Sequence, residues 1–155
     1  MIVRPDDPGA DDVRRLLSEH LALMRSQSPP EDVHALDVTQ LQVPGVVLVS
    51  CRQDGVLLGV GALTRVTATL AEVKSMHTAA AARGRGVART VLAELMRAAC
   101  EHGFSAISLE TGSQPAFAPA RALYRSAGFV ACPAFGDYRP CAASVFMTRP
   151  TSTVW

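Results

Sequence analysis

Val13, Leu16, Leu17, His20, Leu21 and Met24 fall at i, i+3, i+4 spacing, one apolar stripe along a helix that Asp11 or Asp12 can cap. The Ser28-Pro29-Pro30 turn stops it, and a short strand over residues 1–4, ended by Pro5, precedes it. A second, weaker helix is expected over 33–41, closed by Pro44-Gly45. The period then changes to two. Residues 46–52 read as a buried strand, Gln53-Asp54-Gly55 as a hairpin turn and 56–65 as its partner, with a third strand over 71–78. Gly59 and Gly61 inside the second of these point to a bulge or a close neighbour. A strong amphipathic helix over 84–102 buries Val87, Ala88, Val91, Leu92, Leu95, Met96 and Ala99, and Gly103 ends it. A strand over 105–110 follows, then a helix over 118–127 with Pro119 in its first turn and Gly128 beyond its end. Strands begin at 129–130 and span 144–148. The order β-α-α-β-β-β-α-β-α-β-β predicts one α/β (α+β) domain over 1–155, a mixed, mostly antiparallel central sheet flanked by helices.

Composition narrows the function classes. With 155 residues, 48% of them hydrophobic and 19% charged, the chain makes one domain with a proper core. A net charge of +1 argues against a nucleic-acid partner, which needs a basic face. No run of eighteen apolar residues is present and the opening residues lack the apolar core of a signal peptide, so no membrane partner and a cytoplasmic location are expected. Cys51, Cys100, Cys132 and Cys141 form no CxxC pair, and with the four histidines they show no metal spacing. Reduced thiols, three in or near the core, and no metal are expected.

The segment with the most chemistry is Arg83-Gly84-Arg85-Gly86-Val87-Ala88, which opens the long helix. Glycine lets backbone N–H groups approach an anion closely, and the first helical turn leaves its amides unpaired. The amides of Arg85, Gly86, Val87 and Ala88, with the Arg83 and Arg89 guanidinium groups, are therefore read as a cradle for the phosphates of a cofactor. A dinucleotide fold would need a third glycine and this loop directly after the first strand, and neither is found.

Arg83, Gly86 and Ala88 match the [Gln/Arg]-x-x-Gly-x-[Gly/Ala] signature, and together with the element order they resemble the GNAT acetyltransferase superfamily. Three flanking segments strengthen the resemblance: Glu72-Val73-Lys74-Ser75-Met76, Leu109-Glu110-Thr111-Gly112, and Ala122-Leu123-Tyr124 leading to Gly128-Phe129. Ser28 to Glu31, Gly136 to Tyr138 and Phe146-Met147 resemble corresponding segments of small bacterial members. The resemblance implies acetyl-CoA as cosubstrate and transfer of its acetyl group to an amine. An alkylamine with a pKa of about 10 is mostly protonated at neutral pH, so the site must take a proton, stabilise an oxyanion and return a proton to the departing thiolate.

The family pattern assigns main-chain groups of Met76 and Thr78 to the pantetheine arm. It assigns Tyr124 as general acid and Glu72, eleven residues before Arg83, as general base. Glu72 also reads as an exposed strand glutamate paired with Lys74 on the same face. His77, at the end of that strand, is a second candidate for proton relay beside the cofactor, whereas His20 and His102 read as incidental. Glu31, His34 and Asp37 belong to the segment that covers the acceptor side in this family, and Arg139, in Asp137-Tyr138-Arg139, suits a substrate carboxylate. Many members carry an asparagine seven residues before the tyrosine; here Phe117 stands there, beside Ser113 and Gln114. Direct transfer to a small-molecule primary amine is the reading adopted. A noncatalytic CoA-binding regulator and a protein lysine or N-terminal acetyltransferase are the alternatives, and family habit leaves a homodimer open.

Overall fold

The computed structural model describes residues 1–152 and 155. It contains strands β1 (Ile2–Pro5), β2 (Val47–Gln53), β3 (Val56–Arg65), β4 (Leu70–Thr78), β5 (Ala106–Gly112), β6 (Val130–Ala131) and β7 (Ser144–Pro150). Its helices are α1 (Asp11–Gln27), α2 (Val38–Leu41), α3 (Val87–Glu101) and α4 (Ala118–Ser126). The predicted order of elements and the mixed, mostly antiparallel sheet are those observed. Among the described residues the seven strands lie in the order β1-β2-β3-β4-β5-β7-β6, and only the β4–β5 pair is parallel.

Alternation along the strands divides the core between two faces. Leu48, Val60 and Ala62 meet Val13, Leu16 and Leu17 of α1 and Leu41 of α2. Val49, Cys51 and Val73 belong to the larger cluster built on α3, which Tyr124, Ala127 and Phe129 join. The β2–β3 hairpin turns through Asp54 and Gly55, both at positive φ, as the Asp-Gly pair predicts.

Two expectations are corrected. The predicted helix over 33–41 reduces to a 3-10 turn at Pro30–Asp32 and the single turn of α2. Asp37 is the reason: its carboxylate accepts from the Gln40 amide while the Gln40 side chain accepts from the Asp37 amide, a capping box that starts a new helix. Residues 33–37 are therefore non-helical. Nor does Asp11 or Asp12 cap α1. The N-cap is Ala10 with no side-chain bond, and Asp12 instead binds Arg52 at 2.6 Å, tying α1 to β2.

Gly59 and Gly61 are the close approach that the sequence suggested. A Cβ on Gly61 would lie 2.7 Å from Met76 Sδ, 2.7 Å from Val91 Cγ1 and 2.9 Å from Leu95 Cδ1; one on Gly59 would lie 2.6 Å from Val87 Cγ1. The bare backbone of β3 thus lets α3 sit low on the sheet, which sets the height of the helix N-terminus over β4. Gly61→Ala is expected to overpack this contact and lower stability by about 1–3 kcal/mol, read as a reduced midpoint in urea denaturation. An unchanged midpoint would contradict this packing account.

Candidate active site

β4 and β5 pair only from Leu70↔Ala106 to Val73↔Leu109, although β4 runs on to Thr78 and β5 to Gly112. The cause is a bulge in β4. Opposite it, Val60 pairs with His77 and Ala62 with Lys74, so Ser75 and Met76 together face Gly61. Ser75 takes φ 56°, an unfavourable backbone for a non-glycine residue that bends the strand away from its neighbour. The strands part, and a cleft of about 730 Å³ opens between them. Ser75 Oγ, buried and lining this cleft, has no hydrogen-bond partner among the described residues.

The Arg83–Ala88 segment forms the mouth. Gly84 (φ 74°) and Gly86 (φ 80°) hold left-handed backbone, and a Cβ on either would meet nothing within 4 Å, so an exposed bed is left above the free first-turn amides of α3. Gly86 is the N-cap, and its carbonyl accepts from both the amide and the hydroxyl of Thr90. Met76, His77, Thr78, Arg83, Gly84, Gly86, Val87, Ala88 and Arg89 all line the cleft. Arg85 does not: its guanidinium donates to Gln53 Oε1 at 2.8 Å, bracing the loop against the β2–β3 hairpin. Arg89 lies over the Trp155 ring, 4.3 Å from its centroid.

Tyr124 reaches the same cleft from α4, its ring edge-on to Phe129. Burial pushes its phenol well above the usual range, and the nearby Glu110 carboxylate adds to that, so the hydroxyl keeps its proton at neutral pH. Glu110 is itself pushed up by burial, with Ser144 and Lys74 opposing. Arg121, one turn before Tyr124, donates to the carbonyls of Gly112 (2.7 Å) and Gln114 (3.0 Å), fastening α4 to the end of β5.

Glu72 is buried rather than exposed, and the pairing with Lys74 that its strand face allowed is present at 3.5 Å. A third group completes the arrangement. Lys74 Nζ donates to Tyr138 Oη at 2.6 Å, and the Tyr138 hydroxyl donates to Glu72. The Tyr138 ring packs against Phe135, Phe146 and His34. Burial and the Glu72 charge push its phenol far above the ordinary value. Beyond Tyr138 lies a second cavity of about 660 Å³ lined by Glu31, His34, Arg65, Asp137 and Arg139 among others. It shares Asp32, His34, Glu72, Lys74 and Tyr138 with the cleft. Asp37 lines neither cavity, being occupied in the α2 cap.

His77 does not stand alone. Its Nδ1 lies 3.1 Å from Nδ1 of His20 on α1, so the residue read as incidental is the partner of the one singled out. Nothing in the sequence signals that contact, which spans 57 positions.

The comparisons with known proteins agree with this fold. The acetyltransferase (GNAT) family model matches residues 11–129, and the chain belongs to that family. It is 41% identical to the uncharacterized N-acetyltransferase YsnE of Bacillus subtilis over 96% of this chain and 99% of that protein. It is 34% identical to the IAA acetyltransferase of Azospirillum brasilense over 94% of each. In fold it is similar to an aminoglycoside 6'-N-acetyltransferase solved with coenzyme A, with a TM-score of 0.74 and 13% identity over 99% of both chains. The protein is an acetyltransferase that uses acetyl-CoA.

The histidine pair has a consequence for stability. Burial and then the charge of His77 hold His20 down to about 4, against 6.5 for a free histidine, and burial lowers His77 as well. Between those pH values the unfolded chain binds a proton at His20 that the folded chain refuses. Stability is therefore complete above pH 6.5 and is lost as pH falls towards 4, by roughly 3 kcal/mol for His20 alone. Thermal denaturation between pH 7 and pH 4 should show this loss, with a shallower slope in His20→Leu; equal slopes would contradict it.

Proposed function

We propose that the protein acetylates a primary amine of a small molecule by direct transfer, with Tyr124 as general acid and Glu72 as general base. The observation that carries this reading is the convergence, on one parted pair of strands, of an anion cradle, a protonated phenol and a carboxylate. The fit to acetyl-CoA rests on features of the chain itself: free amides at the α3 N-terminus, an open bed over Gly84 and Gly86, and the unpaired β5-facing edge of β4. Arg83 and Arg89 would complete the charge around the phosphates, and main-chain groups of Met76 and Thr78 would pair with the pantetheine arm as an added strand. Acetyl-CoA supplies the activated acyl carbon.

Glu72 takes the proton of the incoming ammonium, directly or through the Tyr138 hydroxyl that it already holds. Tyr124 gives its proton to the departing sulfur. That role needs a phenol that is protonated when the thiolate forms, as a tyrosine hydroxyl is at neutral pH. Among the described residues no cysteine lines the cleft to act as a nucleophile, which supports transfer without a covalent enzyme intermediate. The second cavity supports a small acceptor. It joins the cleft at Glu72, and acidic Glu31 and Asp137 on its wall suit an ammonium while Arg139 suits a carboxylate. Both the IAA acetyltransferase and the aminoglycoside acetyltransferase carry small-molecule acceptors in their names. Four free thiols fit a reducing cytoplasm.

Tyr124→Phe is expected to lower kcat by about 10²–10⁴-fold while the Kd for acetyl-CoA, read by calorimetry, changes little. Equal losses in both would remove the general-acid role. Gly86→Glu places a side chain at φ 80° and a negative charge in the cradle, so acetyl-CoA binding should vanish while the circular dichroism spectrum stays native. Retained binding would refute the cradle assignment.

A further inference from the structure

The chain carries 15 lysines and arginines, and Lys74 is the one lysine among them. Every other cationic side chain is a guanidinium, which is always charged and is no nucleophile. The single side-chain amine capable of losing its proton and attacking a thioester thus lies in the catalytic cleft of an acetyltransferase. Its surroundings are those an acceptor amine requires. The side chain is 12% exposed, with Glu72 Oε2 3.5 Å from Nζ and Tyr138 Oη at 2.6 Å. Lys74 immediately follows Val73, where β4 and β5 cease to pair, and immediately precedes the Ser75 bulge. It lines both cavities and so stands at the junction an acceptor must cross to reach the acetyl group.

We propose that Lys74 is a self-acetylation site, modified by the acetyl-CoA bound in its own cleft when the acceptor cavity is empty. The proposal rests on the reading of the cleft as the acetyl-CoA site with Glu72 as base. The Nζ lone pair attacks the thioester carbon, the N–C bond forms and the C–S bond breaks with its electron pair going to sulfur. Two protons leave the original ammonium: one ends on the sulfur of free CoA, the other passes through Glu72 to solvent. The product is a neutral amide that cannot pass its acetyl group on, so it is an end state and not a step in turnover. It removes the cation that Glu72 faces and puts the acetyl group where the acceptor amine must enter.

The test uses the intact protein with acetyl-CoA and no acceptor, followed by whole-protein and peptide mass spectrometry, with calorimetry of acetyl-CoA binding in parallel. One acetyl group on Lys74 is expected, with a first-order rate constant unchanged on dilution of the protein and depressed by excess free CoA. Lys74→Arg, which keeps the cation, should bind acetyl-CoA and show no side-chain acetylation. Glu72→Gln should slow the modification about a hundredfold. Acetyl-CoA binding with Lys74 unmodified would overturn self-acetylation alone. Modification that proceeds equally in denatured protein, or that free CoA does not slow, would show bulk chemistry and overturn it too. Absence of acetyl-CoA binding would overturn the reading of the cleft and this proposal with it.

Discussion

A parallel strand pair is normally extended until one strand ends, because buried main-chain groups that lose their partners are costly. Here β4 and β5 separate after four pairs while both continue, and the cleft depends on that separation. The extra residue at Ser75 shifts the register with β3 opposite Gly61, where the antiparallel pairing resumes on either side, and bends the strand away from β5. The β5-facing edge beyond the break is then a row of groups waiting for a partner that is not a strand of this chain. An extended, polar molecule that can hydrogen-bond along it is the natural occupant.

Two helices finish the cleft. α3 reaches the cleft by its N-terminus, at a height fixed by the bare backbone of Gly59 and Gly61 beneath it. α4 reaches it by a side chain, Tyr124, whose ring is held in the larger core cluster. The acceptor side is made differently, by an irregular loop. The Tyr138 ring is clamped by Phe135, Phe146 and His34, and its hydroxyl is held between a cation and an anion. A loop residue is thereby given the fixed placement usually reserved for sheet and helix positions.

What was legible in the sequence follows from how local the deciding physics is. The strands of the meander and the helix after the glycine loop are set by period and by turn residues such as Asp54-Gly55, so their positions could be read directly. Glu72 and Lys74 could be placed on one face because a strand alternates. The segment 33–41 misled because its apolar spacing is helical, while Asp37 and Gln40 close a capping box that begins a helix only at Val38. The Tyr138 bond to Glu72 crosses 66 positions and the His20–His77 contact 57, and no local pattern encodes either. The Arg85 guanidinium turned to Gln53 for the same reason: the hairpin that receives it lies far off in the chain.

Arg121 gives the site a mechanical property. Its two hydrogen bonds hold the carbonyls of Gly112 and Gln114, at the point where β5 ends, to the same helix that carries Tyr124. The width of the gap between the strands and the depth of the phenol inside it are therefore one adjustable quantity rather than two. A substitution that spread the strands would draw Tyr124 along with the end of β5. A single guanidinium thus gears the wall of the cleft to the helix that carries the proposed acid.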